Sequence, residues 1–134
     1  MDQAEILLVE DNPGDVMLTR RALKLCPIDV RLSVARDGEE ALKMLADSAF
    51  RPQLIILDLN MPRVSGCAVL ERYANEKVPV VIFSSSWNEA DVRATRRLGA
   101  REYVRKPITL QAFTNAILGI VSRWLIQIPE LVAC

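Results

Sequence analysis

The stretch Leu54–Pro62, LIILDLNMP, places four large apolar residues ahead of an aspartate and ends on proline. An unbroken apolar run of that length, closed by turn-formers, reads as a strand buried on both faces, the kind found inside parallel sheets. A carboxylate at the end of such a strand, Asp58, is costly to bury unless something compensates its charge. Two questions follow: what sheet surrounds the strand, and what balances its end.

The flanking sequence alternates strand and helix signals. Glu5–Val9 (EILLV) is a short apolar run, and the turn Asn12-Pro13-Gly14 leads into a helical stripe over Asp15–Leu25 with Val16, Ala22 and Leu23. Val30–Val34 alternates as a strand does, and Asp37-Gly38 turns the chain into Glu39–Ala46, where Ala41, Leu42 and Leu45 share a face. After Leu54–Leu57, a short helix is predicted over Gly66–Ala74 and a second doubly buried strand over Val78–Phe83, with Pro79 near its start. Asn88 caps a helix over Asn88–Leu98 that Gly99 closes, Glu102–Val104 is a brief strand, and Thr109 caps a long last helix. That helix carries Leu110, Phe113, Ile117, Ile120 and Trp124. Five βα units with continuous apolar strands predict an α/β fold, a parallel sheet with helices on both faces.

Composition removes several classes. The 134 residues fit one domain, 51% hydrophobic and 25% charged, with 17 Lys+Arg against 17 Asp+Glu. That balance gives no basic field for nucleic acid. With no histidine, Ser-His-Asp and Cys-His catalysis and imidazole zinc sites are excluded. Cys26, Cys67 and Cys134 are odd in number and lack a CxxC, which suggests reduced thiols in a cytosolic protein. No signal peptide is expected from MDQAEILLVE, and Arg123, Pro129 and Glu130 interrupt the most apolar stretch, so no membrane span is expected. No Walker lysine loop and no GxGxxG follow the first strand, which argues against nucleotide binding.

In open parallel sheets, ligands gather at the carboxyl ends of the strands. The predicted strands end, in order, on Glu10-Asp11, Ala35-Arg36, Asp58 with Asn60 beyond, Ser84-Ser85-Ser86, and Tyr103-Val104-Arg105-Lys106-Pro107. The second end carries no obvious chemistry; the others bring three carboxylates, a hydroxyl and an ammonium to one edge. Each has an ordinary alternative as a helix cap, a turn-former, a backbone-bonded serine or a solvated lysine. Together they do not, because two like charges about 4 Å apart repel by roughly 4 kcal/mol at an effective dielectric of 20. Hard oxygen donors suit Mg²⁺. A Mg²⁺ beside a strand-end carboxylate points to phosphoryl transfer with the carboxylate as nucleophile. Asp11 and Asp58 would contact the metal, the Asn60 backbone carbonyl would be a third ligand, and Glu10 would act through water. Lys106 would balance phosphoryl charge and Ser84 would hydrogen-bond a phosphoryl oxygen.

From about Glu5 to Leu125 the chain resembles the receiver domain of bacterial two-component response regulators. The resemblance is carried by Glu10-Asp11 after ILLV, D-x-N-M-P-x-x-x-G over Asp58–Gly66, Ser84 after VPVVIF, Gly99-Ala100, and Tyr103-x-x-Lys106-Pro107. It implies a doubly wound, flavodoxin-like sheet of strand order 2-1-3-4-5, Mg²⁺ dependence, and phosphorylation of Asp58 by a histidine kinase or phosphotransfer protein. It also implies that Ser84 and Tyr103 form the switch and that the Lys106–Pro107 peptide is cis. Ser84 stands where the family most often has Thr. The run VEDNPGD (Val9–Asp15) resembles single-domain regulators associated with bacterial phytochromes.

Residues 1–125 are thus expected to be the receiver unit and 126–134 an apolar tail, with no output domain and no enzymatic activity beyond self-catalysed phosphoryl transfer and hydrolysis. The signal would leave through a downstream protein contact. Arg93, Arg96 and Arg97 form a solvated face or a docking surface, and the tail either covers its own domain or contributes to a homodimer. Two other readings compete. A receiver-like scaffold would act without phosphorylation, but it should lack Asp58 or Lys106. A haloacid dehalogenase-type enzyme would need a second acid at the position of Asn60.

Overall fold

The computed structural model describes residues 3–59, 61, 66–73 and 78–125. In chain order the elements are β1 (Ala4–Val9), α1 (Pro13–Leu23), β2 (Val30–Ala35), α2 (Gly38–Ala46), β3 (Leu54–Leu57), α3 (Gly66–Tyr73), β4 (Val80–Ser84), α4 (Glu89–Arg97), β5 (Glu102–Arg105) and α5 (Leu110–Trp124). All strand pairs are parallel, in the order β2-β1-β3-β4-β5. The doubly wound order is therefore as expected.

The opening apolar run is the hinge of the architecture. Every residue of β3 is buried, and alternate side chains enter different cores. Leu54 and Ile56 join Ile6, Leu8, Phe83, Phe113 and Ile117 on the side covered by α1 and α5. Ile55 and Leu57 join Leu7, Val9, Ala41, Val69 and Ile82 on the side covered by α2 and α3. A strand with core on both faces has no polar alternation to show, which is why its sequence reads as continuous hydrophobics. Within the first core the Phe83 and Phe113 rings meet edge to face at 5.1 Å.

Two element starts and one side-chain placement depart from the sequence reading in ways that bear on the site. Helix α1 begins at Pro13, because Asn12 rather than a later residue is its N-cap, accepting from the Gly14 and Asp15 N–H groups at 2.8 and 3.2 Å. Proline at the first helical position forgoes an N–H that would be unpaired there anyway. Strand β4 begins at Val80 rather than Val78; Pro79 lies before it and contributes its carbonyl to the Ile55 N–H at 3.0 Å. Leu110, assigned to the apolar face of the last helix, is 57% exposed as the first residue of α5, ahead of the turns whose Phe113, Ile117 and Ile120 enter the core. Helix α4 closes as expected on Gly99, whose φ of 108° is a left-handed conformation that favours glycine. Residues 126–134, where the tail expectation falls, lie outside the described residues, as does Asn60.

Candidate functional site at the carboxyl edge of the sheet

Parallel pairing puts the ends of β1, β3, β4 and β5 side by side, so residues distant in sequence become neighbours. The Asp58 N–H donates to the Val9 carbonyl at 3.0 Å, tying the end of β3 to the end of β1. The Lys106 N–H donates to the Ser84 carbonyl at 2.8 Å, tying the end of β5 to the end of β4. Asp58, Ser84 and Lys106 are thus each fixed by a rung of their own backbone.

The Lys106 ammonium is the centre of the arrangement. Its Nζ donates to Glu10 Oε1 at 2.5 Å, to Asp15 Oδ2 at 2.9 Å and to Asp58 Oδ2 at 3.2 Å. The Phe83 ring lies 5.9 Å beneath it. Glu10 is 2% exposed and Asp58 6% exposed, so these are charges held out of water. Asp11 is exposed, yet one carboxylate oxygen each from Glu10, Asp11 and Asp58 fall within 4.8 Å of one another. Three hard oxygen donors so close repel unless a cation joins them, and their chemistry fits a divalent metal. Burial is the main reason the Glu10 carboxyl is pushed up to about 7; Lys106 pulls it down, and the neighbouring Asp58 adds to the rise. For Lys106, burial works against the charged form, but its bonds to Glu10 and Asp15 outweigh it and the pKa rises.

The hydroxyl side of the edge is connected too. Ser84 is fully buried, and its Oγ accepts from the Ser86 N–H at 3.3 Å. The Ser86 carbonyl in turn accepts from the Tyr103 hydroxyl at 2.6 Å. Trp87, 54% exposed, stands edge to face on the Tyr103 ring at 5.4 Å. Burial raises the pKa of the Tyr103 phenol, so it remains a donor near neutral pH.

Glu10, Asp11, Asp58, Ser84, Tyr103 and Lys106 are all at the edge where the sequence reading put them. Asp15 was missed. It was read only as the start of a helix, whereas entry at Pro13 places it in the first turn of α1, within reach of Lys106. No spacing in the sequence marks it, because Asp11 precedes the helix and shares no helical register with Asp15. The Lys106–Pro107 peptide is trans, contrary to the expectation of a cis bond. The trans form is the intrinsically favoured one even before proline, and the Lys106 N–H continues the parallel ladder without a reversal.

Comparison with known proteins agrees with this geometry. The sequence model of the response regulator receiver domain matches residues 6–118. Response regulator Rcp1 of Synechocystis sp. is 37% identical over 129 residues, spanning 90% of this chain and 88% of that one. The crystal structure of the Mn²⁺-bound form of Rcp1 superposes with a TM-score of 0.85 at 36% identity, covering 93% and 96% of the two chains. That of the phosphorylated cyanobacterial phytochrome response regulator RcpA gives 0.88 at 33% identity, covering 95% and 97%.

Proposed function

Because the chain belongs to the response regulator receiver domain family, we propose that Asp58 is its phosphoacceptor and that phosphorylation changes which protein it contacts. The observation that carries this reading is the Lys106 ammonium bridging Glu10, Asp15 and Asp58 at a buried sheet edge. Such a centre suits a group that arrives with three negative oxygens and attaches to one of the carboxylates.

An Asp58 carboxylate oxygen attacks phosphorus while the bond to the donor's leaving group breaks, and the leaving group departs with that electron pair. Lys106 can then turn from the carboxylates toward a phosphoryl oxygen, keeping its charge next to the new negative group. Ser84 Oγ donates to a second phosphoryl oxygen. A divalent cation, read as Mg²⁺ and held by Glu10, Asp11 and Asp58 with the Asn60 carbonyl, supplies further charge neutralisation when bound. That relatives were crystallised with Mn²⁺ and in a phosphorylated state supports both parts. Ser84 Oγ accepts from the Ser86 N–H while donating to the phosphoryl group, so its movement toward that group draws Ser86 with it; Ser86 holds the Tyr103 hydroxyl, and the phosphoryl group thereby shifts the Tyr103 population through that loop.

The donor is a histidine kinase or phosphotransfer protein, and the target is a protein rather than nucleic acid. Catalysis is limited to the protein's own phosphorylation and dephosphorylation, and residues 126–134 extend the receiver unit as a tail that serves a homodimer or covers its own domain. A cytoplasmic setting fits these partners; among the described residues no helix is long and apolar enough to cross a membrane. Incubation with acetyl phosphate and Mg²⁺ should add one acid-labile phosphoryl mass that maps to Asp58, and Asp58→Asn should remove it. Equal labelling of that variant would overturn the assignment.

A further inference from the structure

A cleft of about 640 Å³ opens beside the acidic cluster, between the ends of β1 and β2, the face of α1 from Pro13 to Arg20 and the first turn of α2. Glu10 and Asp11 form one wall; Arg20 from α1, Arg36 from the end of β2 and Glu40 from α2 line the rest. Arg20 and Arg36 are exposed, and among the described residues neither guanidinium is ion-paired. The second strand end, which showed no chemistry in the sequence, thus places a free cation at the rim of the site.

Charge explains what such a rim would do. The edge collects four carboxylates, Glu10, Asp11, Asp15 and Asp58, against the one ammonium of Lys106. A divalent cation still leaves the formal sum negative, while a phosphodonor is itself an anion. Two guanidiniums bordering the same cleft, set against the carboxylate of Glu40, cancel that remaining negative charge and so lower the repulsion an anion meets on its approach. A concave, low-dielectric wall concentrates their field. We propose that Arg20 and Arg36 form a cationic rim that draws the anionic phosphodonor into the site and makes the protein selective for donors of higher negative charge.

The inference rests on Asp58 being the acceptor. With acetyl phosphate, the Asp58 oxygen–phosphorus bond forms as the acyl oxygen–phosphorus bond breaks, and acetate leaves with the electron pair. With phosphoramidate the phosphorus–nitrogen bond breaks and ammonia leaves. The first donor is a dianion and the second carries one net negative charge at neutral pH, so the rim should treat them differently. Coulomb attraction across about 10 Å of water gives each arginine about a four-fold effect on a dianion and about a two-fold effect on a monoanion.

The test uses the full chain and measures phosphoryl labelling rates with both donors for Arg20→Gln, Arg36→Gln, the double variant and Glu40→Gln. The arginine variants should slow labelling by acetyl phosphate more than by phosphoramidate, and added salt should erase the difference. Glu40→Gln should change the acetyl phosphate rate in the opposite direction. Calorimetric titration with Mg²⁺ alone should show tighter binding in the arginine variants, since a cation gains when positive charge is removed. A loss of packing would weaken both ligands together. If wild type labels on Asp58 while the variants show donor-independent or salt-independent rates, the rim has no steering role. If neither donor labels wild type, the phosphoacceptor reading fails and the rim falls with it.

Discussion

At the residue scale, the site is a balance between carboxylates that repel and one lysine that holds them. Asp11 and Asp15 sit on opposite sides of that balance, although both are acids of the same short segment. Asp11 belongs to the metal-competent cluster and makes no bond to Lys106, whereas Asp15 accepts from Lys106 at 2.9 Å and is outside that cluster. Asp11→Ala should therefore raise thermal stability, by relieving repulsion, while severely weakening Mg²⁺ binding. Asp15→Ala should do the reverse: a loss of about 1–2 kcal/mol for the charged hydrogen bond, with Mg²⁺ affinity little changed. Thermal melts and Mg²⁺ titration of the two variants check the contrast; parallel behaviour would refute it. The sequence made Asp11 readable because a strand end has a predictable place. Asp15 was not readable, because its role depends on where α1 begins, and Asn12 as the cap moves that start to Pro13. A helix start misplaced by two residues rotates every first-turn side chain, which is enough to hide a partner.

Among the elements, α3 packs against the backbone of Asp58 itself. A Cβ added at Gly66 would lie 2.7 Å from the Asp58 carbonyl oxygen and 3.1 Å from the Leu59 Cα. Both are backbone atoms that cannot swing aside, so Gly66 sets how near α3 comes to the end of β3. Gly66→Ala should cost about 1–3 kcal/mol through displaced backbone. It should also slow labelling of Asp58 by moving the strand end. Chemical denaturation and acetyl phosphate kinetics measure the two effects; wild-type values for both would show that α3 has room to yield. The same glycine was visible in the sequence as the close of D-x-N-M-P-x-x-x-G, but only as a motif letter. The reason for it, a helix packed onto the Asp58 carbonyl, needs the tertiary contact. The loop from β4 to α4 shows the same limit. Ser84 and Tyr103 were legible as strand-end residues, whereas their link through the Ser86 carbonyl and the Trp87 contact depend on a loop path that no periodicity encodes. Phosphorylation should therefore change Trp87 emission, and Tyr103→Phe should reduce that change; unaltered emission on full labelling would remove the loop from the switch.

For the whole molecule, the buried site makes folding stability answer to proton and metal concentration. The architecture itself was readable: three continuous apolar runs within five βα units admit few arrangements besides a doubly covered parallel sheet, and the strand order follows the resemblance. What composition could not give is the ionisation cost of closing that sheet edge. Glu10 titrates at about 7 in the folded chain against 4.5 as a free carboxyl. Across that window the folded state binds more protons than the unfolded one, so the contribution of Glu10 is complete below pH 4.5 and lost as pH rises through about 7. At about 1.4 kcal/mol per unit, the loss is on the order of 3 kcal/mol. Lys106 runs in the same sense, but its raised pKa places its loss in the alkaline range, above the ordinary 10.5. The metal-free protein should therefore melt at a lower temperature near pH 7 than near pH 5, and Glu10→Gln should flatten that slope. Mg²⁺ competes with the Glu10 proton, so the same melts with saturating Mg²⁺ should show more stabilisation at the higher pH, opposing the metal-free trend. Calorimetric melts of both proteins, with chelator and with Mg²⁺, decide it: a metal-free melting temperature that rises from pH 5 to pH 7 equally in wild type and Glu10→Gln would mean that Glu10 is ionised at no cost, and that Lys106 alone already balances the edge.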